Sequence, residues 1–227
     1  MKTMQMDIYP IPLGFDRGYM IKGEGTVMID AGPPGKAKAF RKGIQKASAR
    51  PADIGLLILT HGHWDHAGSA KSIQDITGAK IVMHEKEREW LERALKPLPP
   101  AVTPWGRVLA AIIRPLVPLV DLPPAKVDVV LEDAPFSLVP FGIDGKILPT
   151  PGHSPGSVSV VLSSGEAFVG DLAMNAPPLR LNPGPPIFAE DMEAVRDSWK
   201  RLLEAGATKI YPAHGRPFSA SRMRRFL

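Results

Sequence analysis

The most constraining feature of this chain is a histidine-rich hexapeptide, His61-Gly62-His63-Trp64-Asp65-His66, which directly follows an apolar run. Three of the six histidines in the 227 residues lie inside it. The preceding residues, 54–59, are almost entirely aliphatic, which is typical of a strand buried on both faces. Imidazole and carboxylate groups are preferred ligands of zinc and related divalent ions. The pattern therefore predicts a metal site at the end of a buried strand, at a sheet edge.

The composition excludes several other kinds of chemistry. The chain has no cysteine, so it has no disulfide, no cysteine-ligated zinc and no cysteine nucleophile. The net charge of +5 is scattered along the chain, and we therefore expect no nucleic-acid partner. The first seven residues lack the apolar core of a signal peptide, and no apolar run reaches about 18 residues. We therefore expect no membrane span and a cytoplasmic location.

Short apolar runs separated by Gly, Pro and Asp divide the chain into two similar halves. The first half predicts an antiparallel meander followed by alternating helices and strands. The strands are predicted at 8–13, 19–22, 26–30, 54–59 and 80–84, and the helices at 36–49, at 66–76 (starting at 66 or 68) and at 85–95. The second half predicts strands at 127–131, 136–140, 146–149, 157–162, 167–171 and 209–212, and a helix at about 190–205. We expect an α+β fold in a single domain over residues 1–227. Its predicted architecture is a four-layer αββα sandwich, in which two sheets pack face to face beneath outer helices.

A Pro-rich segment, residues 97–126, interrupts this pattern and is typical of an insertion or cap. Residues 97–124 contain eight prolines around a short apolar stretch. Trp105, Leu109 and Ile112 share a helical spacing that Pro115 should end. The segment could cover the site as an apolar lid, pack on its own core, or form the contact of a homodimer. It carries too few cations to favour a membrane-surface helix.

Candidate ligands outside the hexapeptide lie at the ends of other predicted strands. Two zinc ions need about six to eight protein ligands, and the hexapeptide supplies at most four. His153 lies in a Pro-Gly-His-Ser-Pro-Gly-Ser turn, Asp171 ends a predicted strand, and His214 follows the last one. Each lies beside Gly or Pro, where a side chain can be aimed at a shared edge. These three residues supply what the hexapeptide lacks.

Together, these residues resemble the metallo-β-lactamase-fold metallo-hydrolase superfamily, and the match runs in order from about residue 6 to residue 216. The family's fold is an αββα sandwich, in agreement with the two-half pattern. The resemblance implies that one ion is bound by His61, His63 and His153. It implies that a second ion is bound by Asp65, His66 and His214, and that Asp171 bridges both.

Two further residues have an expected role near these ligands. Asp30, in an Ile-Asp-Ala-Gly sequence, matches a family position that orients a ligand from outside the coordination sphere. A turn-forming role for Asp30 is the alternative. His84 has no place in the motif set, and we expect it to be structural or at most a residue of the pocket rim.

The resemblance implies a dinuclear hydrolase that needs no serine, cysteine or lysine nucleophile. Zinc is the expected ion, with iron or manganese as alternatives. Two such ions lower the pKa of bound water towards about 7, so a hydroxide bridging them would attack a carbonyl or phosphoryl centre. Asp65 is the candidate catalytic residue, because a carboxylate there could hold the nucleophile and carry a proton to the leaving group.

The expected substrate is a small molecule with a hydrophobic part. The Pro-Gly-His-Ser-Pro-Gly-Ser segment is most similar to the glyoxalase II-like branch, which cleaves a thioester. Arg180 falls where that branch often has a basic substrate-binding residue, and Met174 falls where the lactonase branch usually has tyrosine. We therefore expect hydrolysis of an ester, thioester, lactone or amide. A promiscuous enzyme could also take β-lactam or phosphoester substrates.

Two other functions are compatible with the motif. An iron-dependent oxygenase or oxidoreductase of the same fold, similar to persulfide dioxygenases, keeps a related motif and uses one iron. A nucleic-acid-processing hydrolase would fit the basic charge, but the sequence lacks an aromatic and basic binding platform.

Overall fold

The computed structural model describes residues 6–227 and confirms the predicted αββα sandwich. Two six-stranded sheets pack face to face, and helices cover their outer faces. The expectation that no signal peptide is present concerns residues 1–7, of which the first five lie outside the described residues. Across residues 6–227, the structure contains no helix that is both long and apolar enough to cross a bilayer.

The first sheet follows chain order. Its strands are β1 (Asp7–Pro12), β2 (Arg17–Lys22), β3 (Thr26–Ile29), β4 (Ile54–Ile58), β5 (Lys80–His84) and β6 (Val129–Leu131). The first three strands form the predicted antiparallel meander, and β3 to β6 run parallel. Parallel strands all end at the same sheet edge, so the segments that follow β3 and β4 meet there.

Helices connect the parallel strands of the first sheet, and the first four of them contribute residues to the core on its outer face. They are α1 (Ala37–Lys46), α2 (Trp64–Ala67), α3 (Ala70–Thr77), α4 (Glu85–Glu92) and α5 (Pro104–Ile113). The single helix predicted at 66–76 is instead two short helices, α2 and α3. The chain between them packs against the loop after β3, where a Cβ on Gly68 would lie 2.3 Å from Pro34 Cδ. This close approach brings the hexapeptide against Asp30.

The second sheet has the order β12-β11-β10-β9-β8-β7. Its strands are β7 (Phe136–Ser137), β8 (Gly145–Pro149), β9 (Val158–Leu162), β10 (Glu166–Gly170), β11 (Lys209–Pro212) and β12 (Phe218–Ser219), and α6 (Met192–Glu204) covers its outer face. The strand predicted at 136–140 is wrong beyond Ser137. Val139–Phe141 forms a 3-10 turn, since Pro140 cannot donate to a strand ladder. Strand β12 was not predicted.

The core is layered because successive strand residues face opposite sides of a sheet. Tyr19 and Ile21 of β2 pack between the two sheets, whereas Met20 packs outwards against Phe40 of α1. On the far side, Trp199 of α6 is fully buried against the second sheet. Packing on both faces holds the strand ends firmly, and the site is built at those ends.

The Pro-rich segment, residues 97–126, forms α5 and a following 3-10 turn at Val117–Leu119. It is joined by hydrogen bonds to the loop between β10 and α6. Val102 N donates to Ile187 O over 2.9 Å, and the Trp105 indole donates to Pro178 O over 2.8 Å. The segment and the loop therefore form one connected wall beside the carboxyl ends of the strands.

Candidate metal centre

Seven sequence-predicted ligands converge at one edge of the sandwich, although they come from both halves of the chain. The hexapeptide follows β4, and His153 lies in the turn between β8 and β9. Asp171 directly follows β10, and His214 follows β11, which runs parallel to β10. The two sheets are joined at this edge by Val158 N, which donates to Thr60 O over 2.8 Å.

The first ligand group consists of His61, His63 and His153. One ring nitrogen from each residue lies within 4.8 Å of the others. His63 Nδ1 is 3.0 Å from His153 Nε2. The His61 ring is edge-on to both other rings, with centroid separations of 4.7 Å. Three buried imidazoles thus converge on a space the size of one metal ion.

The second ligand group consists of Asp65, His66 and His214, whose ligand atoms also lie within 4.8 Å of one another. Asp171 lies between the two groups. Its Oδ1 is 3.3 Å from both His66 Nε2 and His214 Nε2, and its Oδ2 is 3.8 Å from His153 Nε2. The two oxygens of one carboxylate therefore face different ligand groups.

Asp30 orients one histidine of each ligand group. Its Oδ2 is 3.1 Å from His66 Nδ1, and both of its oxygens lie within 3.0 Å of the Thr60 hydroxyl. Since that hydroxyl donates to Asp30, it accepts from His61 Nδ1, which is 3.1 Å away. With Nδ1 engaged in this way, each imidazole keeps Nε2 free for a metal ion.

The remaining Nδ1 contacts come from residues that the sequence did not reveal. His153 Nδ1 donates to the carbonyl of Phe188 over 2.8 Å. His214 Nδ1 lies 3.0 Å from the buried carboxylate of Asp16, in the turn between β1 and β2. An aspartate in a Gly-Phe-Asp-Arg turn looks like a loop residue, and only the folded chain brings it to His214.

The electrostatic environment of the first ligand group favours neutral imidazoles. Burial lowers the pKa of His61, His63 and His153 below the ordinary value, and the neighbouring histidines add to the effect. A neutral imidazole presents the lone pair that a metal ion requires.

The second ligand group lies in a strongly negative electrostatic environment. Burial opposes the charged form of His66, yet the carboxylates of Asp171 and Asp65 raise its pKa well above the ordinary value. Burial likewise opposes the charge on His214, but Asp171 raises its pKa to about 9. In turn, His214 and His66 overcome the effect of burial and hold the pKa of Asp171 well below its usual range. A field that favours protonated histidine also favours a divalent cation.

These residues fit a pair of divalent ions. His61 Nε2 is buried and has no hydrogen-bond partner within residues 6–227, although it faces other imidazoles and a carboxylate. Buried polar atoms are normally satisfied, so a lone pair aimed into such a cluster is explained by a shared cation. Imidazole nitrogen and carboxylate oxygen suit zinc, and also iron or manganese.

A cavity of about 350 Å³ adjoins the cluster, so the candidate ligands are accessible to a small molecule. Members of both ligand groups and Asp171 form its floor. Its walls come from the Pro-rich segment and the loop after β10: Pro97, Leu98, Pro99, Leu109, Ile113, Met174, Ala176, Pro177, Pro178, Leu179 and Phe188. Phe15 and Trp64 complete the lining, and no lysine or arginine of residues 6–227 belongs to it.

The two predicted substrate-binding residues have different positions. Met174 is buried and lines the cavity. Arg180 does not line it, because its guanidinium turns back and donates to the carbonyls of Asn182 and Pro185 in its own loop. A role for Arg180 in substrate binding stays a prediction. His84 caps the start of α4 by accepting from Lys86 N.

Phe15 is an aromatic residue of the site that sequence reasoning missed. It is 61% exposed and stacks on the His214 ring, with a centroid separation of 5.9 Å and an interplanar angle of 7°. It also meets Trp64 edge-on. The two rings form an apolar rim beside the second ligand group.

Comparison with known proteins identifies the family. The profile described as the metallo-beta-lactamase superfamily matches residues 18–214. The probable metallo-hydrolase YflN of Bacillus subtilis is 27% identical over 211 residues, which cover 87% of this chain and 78% of that protein. A probable metallo-hydrolase of Streptococcus pyogenes is also 27% identical, over 87% of this chain and 77% of its own.

Solved structures show the same fold. An archaeal metallo-beta-lactamase superfamily protein from Sulfolobus tokodaii superposes with a TM-score of 0.67 at 23% identity, covering 99% of this chain and 85% of that one. The subclass B3 metallo-beta-lactamase BJP-1 of Bradyrhizobium japonicum gives 0.64 at 24% identity, covering 93% and 76%. With a family match over most of its length, this chain belongs to the metallo-beta-lactamase superfamily and is a metal-dependent hydrolase.

Proposed function

We propose that the protein is a dinuclear zinc hydrolase acting on small-molecule esters, thioesters, lactones or amides with a hydrophobic acyl part. The observation that carries this proposal is Asp171, whose two oxygens face two separate ligand groups at the floor of an apolar cavity. In the proposed assignment His61, His63 and His153 hold one ion. Asp65, His66 and His214 hold the other, and Asp171 contacts both.

The ions would supply hydroxide at neutral pH and polarise the scissile carbonyl. The chain's own residues bind the substrate, orient it at the metal site and transfer protons. Asp65 is the most exposed of the seven candidate ligands; its side chain is 19% exposed and lines the cavity. This position supports a role for Asp65 in accepting a proton and passing it to the leaving group.

The cavity walls support a hydrophobic and uncharged acyl group. Within residues 6–227, the walls above the candidate ligands include no lysine or arginine that could pair with a charge on the acyl group, and a buried unpaired charge is costly. We therefore rank neutral esters and lactones above glutathione thioesters and β-lactams. In this proposal the Pro-rich segment acts as a cap, because Leu109 and Ile113 of α5 line the cavity directly.

A substrate panel tests the proposal. Protein stripped with a chelator and reloaded with zinc, iron or manganese is assayed with p-nitrophenyl esters of increasing chain length, a thioester, a lactone, a β-lactam and a phosphodiester. We expect zinc to restore hydrolysis and longer neutral esters to be preferred. Full activity of the stripped protein would refute the proposal. One iron per chain with oxygen uptake would favour the oxygenase.

A matched pair of variants tests the role of the cap. Leu109→Trp places a larger ring in the cavity, whereas Val108→Trp changes the adjacent residue, which is 51% exposed and faces away. We expect the first variant to lose about tenfold in kcat/KM for long esters, and the second to behave like the wild type. Equal effects would show that the cavity does not hold the acyl chain.

A homodimer through the Pro-rich segment stays a prediction. The outer face of α5 and the following turn carry exposed apolar side chains, among them Ile112, Leu116 and Leu119. Light scattering at two concentrations would give twice the mass of one chain if this face pairs with a second copy, and the mass of one chain if it does not.

A further inference from the structure

A buried carboxylate outside the ligand set joins the two loops that carry the first ligand group. Glu87 lies in α4 and is completely inaccessible to solvent. Its Oε2 accepts from the backbone N–H of Gly62 over 2.5 Å, and its Oε1 accepts from the N–H of Gly156 over 2.7 Å. Gly62 separates His61 from His63, and Gly156 lies three residues after His153.

Both glycines are fitted closely around this carboxylate. A Cβ on Gly62 would lie 2.7 Å from Met83 Cε and 3.2 Å from Glu87 Oε2. A Cβ on Gly156 would lie 2.9 Å from Glu87 Cγ. Neither glycine has a positive φ angle, so close approach rather than an unusual backbone conformation requires glycine here.

A second residue of the same helix face supports the same loop. Trp90, one turn after Glu87, stacks on the His63 ring with a centroid separation of 5.8 Å and an interplanar angle of 16°. Residues three apart on a helix share a face. Helix α4 therefore touches the His61–His63 loop at its backbone, through Glu87, and at a ligand ring, through Trp90.

Glu87 cannot itself contact a substrate, since it is buried and does not line the cavity. It also does not belong to any of the groups of acidic and imidazole side chains close enough to hold an ion within residues 6–227. Its contacts point instead to an effect exerted through the loops. One carboxylate accepts from both loops, and the two rings that these loops carry lie 3.0 Å apart, from His63 Nδ1 to His153 Nε2.

We propose that Glu87 is a positioning residue that holds the two loops of the first ligand group at the spacing required for metal binding. The inference rests on the two ligand groups proposed above. The histidines of the second ligand group are held by other carboxylates, those of Asp30 and Asp16, and not by Glu87, so the proposal predicts an effect confined to one ion.

Cobalt titration of the chelator-stripped protein tests the proposal, because the visible spectrum of Co²⁺ reports its coordination. Glu87→Gln keeps the size of the side chain but turns an NH₂ group towards one of the two N–H donors. We expect this variant to bind one of its two cobalt equivalents about 10- to 100-fold more weakly, with an altered spectrum, and to bind the other normally. The control is Glu89→Gln, the same change at an exposed position of α4, which should match the wild type.

The outcomes separate this proposal from the one on which it rests. If the wild type fails to bind two cobalt ions, the ligand assignment fails. If the wild type binds two and Glu87→Gln gives the same affinities and spectrum, Glu87 has no positioning role. Should Glu87→Gln not fold, Glu87→Asp keeps the charge but is one methylene too short to reach both loops. We then expect the same selective weakening, and an unchanged titration would overturn the proposal.

Discussion

The two ligand groups share Asp171 but are supported in different ways. In the first group, His61 and His153 are held by neutral acceptors, a hydroxyl and a backbone carbonyl, and burial keeps their pKa values low. In the second group, His66 and His214 are held by carboxylates, which raise their pKa values. One group therefore depends on precise alignment of neutral rings, and the other on accumulated negative charge.

In the proposed assignment, this difference explains how a single edge of the sandwich holds two cations. Neutral imidazoles alone leave the charge of an ion uncompensated, while a cluster of carboxylates alone would repel itself. Asp171 contributes one oxygen to each group and so divides its charge between them. Variants that remove one kind of support should therefore affect one ion more than the other.

The largest effect is expected from Asp171→Ala, because that residue serves both groups. We expect kcat/KM to fall by about 10³-fold or more, since the electrostatic stabilisation supplied by bound ions amounts to several kcal/mol. Steady-state assays with the best ester of the panel measure this. His63→Ala, which removes a ligand of the first group only, is the comparison variant. Wild-type activity in either variant would refute the assignment.

Asp30→Asn should lower the affinity for both ions, but by less than Asp171→Ala does. Asp30 contacts His66 directly and reaches His61 through the Thr60 hydroxyl. Loss of such an outer partner typically costs 10- to 100-fold in metal affinity. Competition with a chromophoric chelator measures both dissociation constants. A changed dissociation constant for only one ion would show that the contact from Asp30 through Thr60 to His61 does not contribute to metal affinity.

Asp16→Asn should lower the affinity for the second ion alone. The carboxylate of Asp16 contacts His214 and no residue of the first ligand group within hydrogen-bonding distance. We expect about tenfold weaker binding of one ion and an unchanged affinity for the other. Asp7→Asn, at an exposed position of β1, is the control. An equal loss of affinity for both ions would contradict the claim that the two ligand groups are supported by different residues.

The smallest effect is expected from Thr60→Val, which removes the hydroxyl that holds His61 of the first ligand group and leaves the charge unchanged. The His61 Nδ1–H would lose its acceptor, and an unpartnered buried donor costs about 1–3 kcal/mol. Chemical denaturation measures the change in unfolding free energy, and chelator competition should show weaker binding of the first ion only. An unchanged stability would mean that another acceptor replaces Thr60.

Much of the fold could be predicted because its signals are local. The aliphatic run before the hexapeptide, the meander at the start of the chain and the amphipathic pattern of α6 each identify an element without reference to the rest. The strand predicted at 136–140 failed for a local reason too, since Pro140 breaks the ladder and favours a 3-10 turn.

The residues of the two candidate ligand groups were predictable, and so was Asp30 beside them, but the other supporting residues were not. His61 to His66 form a recognisable motif, whereas Asp16 lies in an ordinary turn and meets a histidine almost 200 residues later. Glu87 lies in a run of alternating charges that is typical of a solvated helix face, yet it is buried. Arg180 was predicted from its match to a basic position of the glyoxalase II-like branch, and the conformation of its loop turns its guanidinium away from the cavity. Such contacts depend on tertiary packing, which sequence spacing does not encode.

The most direct test of the shared carboxylate is the number of zinc ions bound per chain. Chelator-stripped protein is titrated with zinc and examined by native mass spectrometry, for the wild type and for Asp171→Ala. Two ions per wild-type chain, and a weakened affinity for both in the variant, are the predicted result. A single ion in the wild type, or two ions of unchanged affinity in Asp171→Ala, would contradict the account.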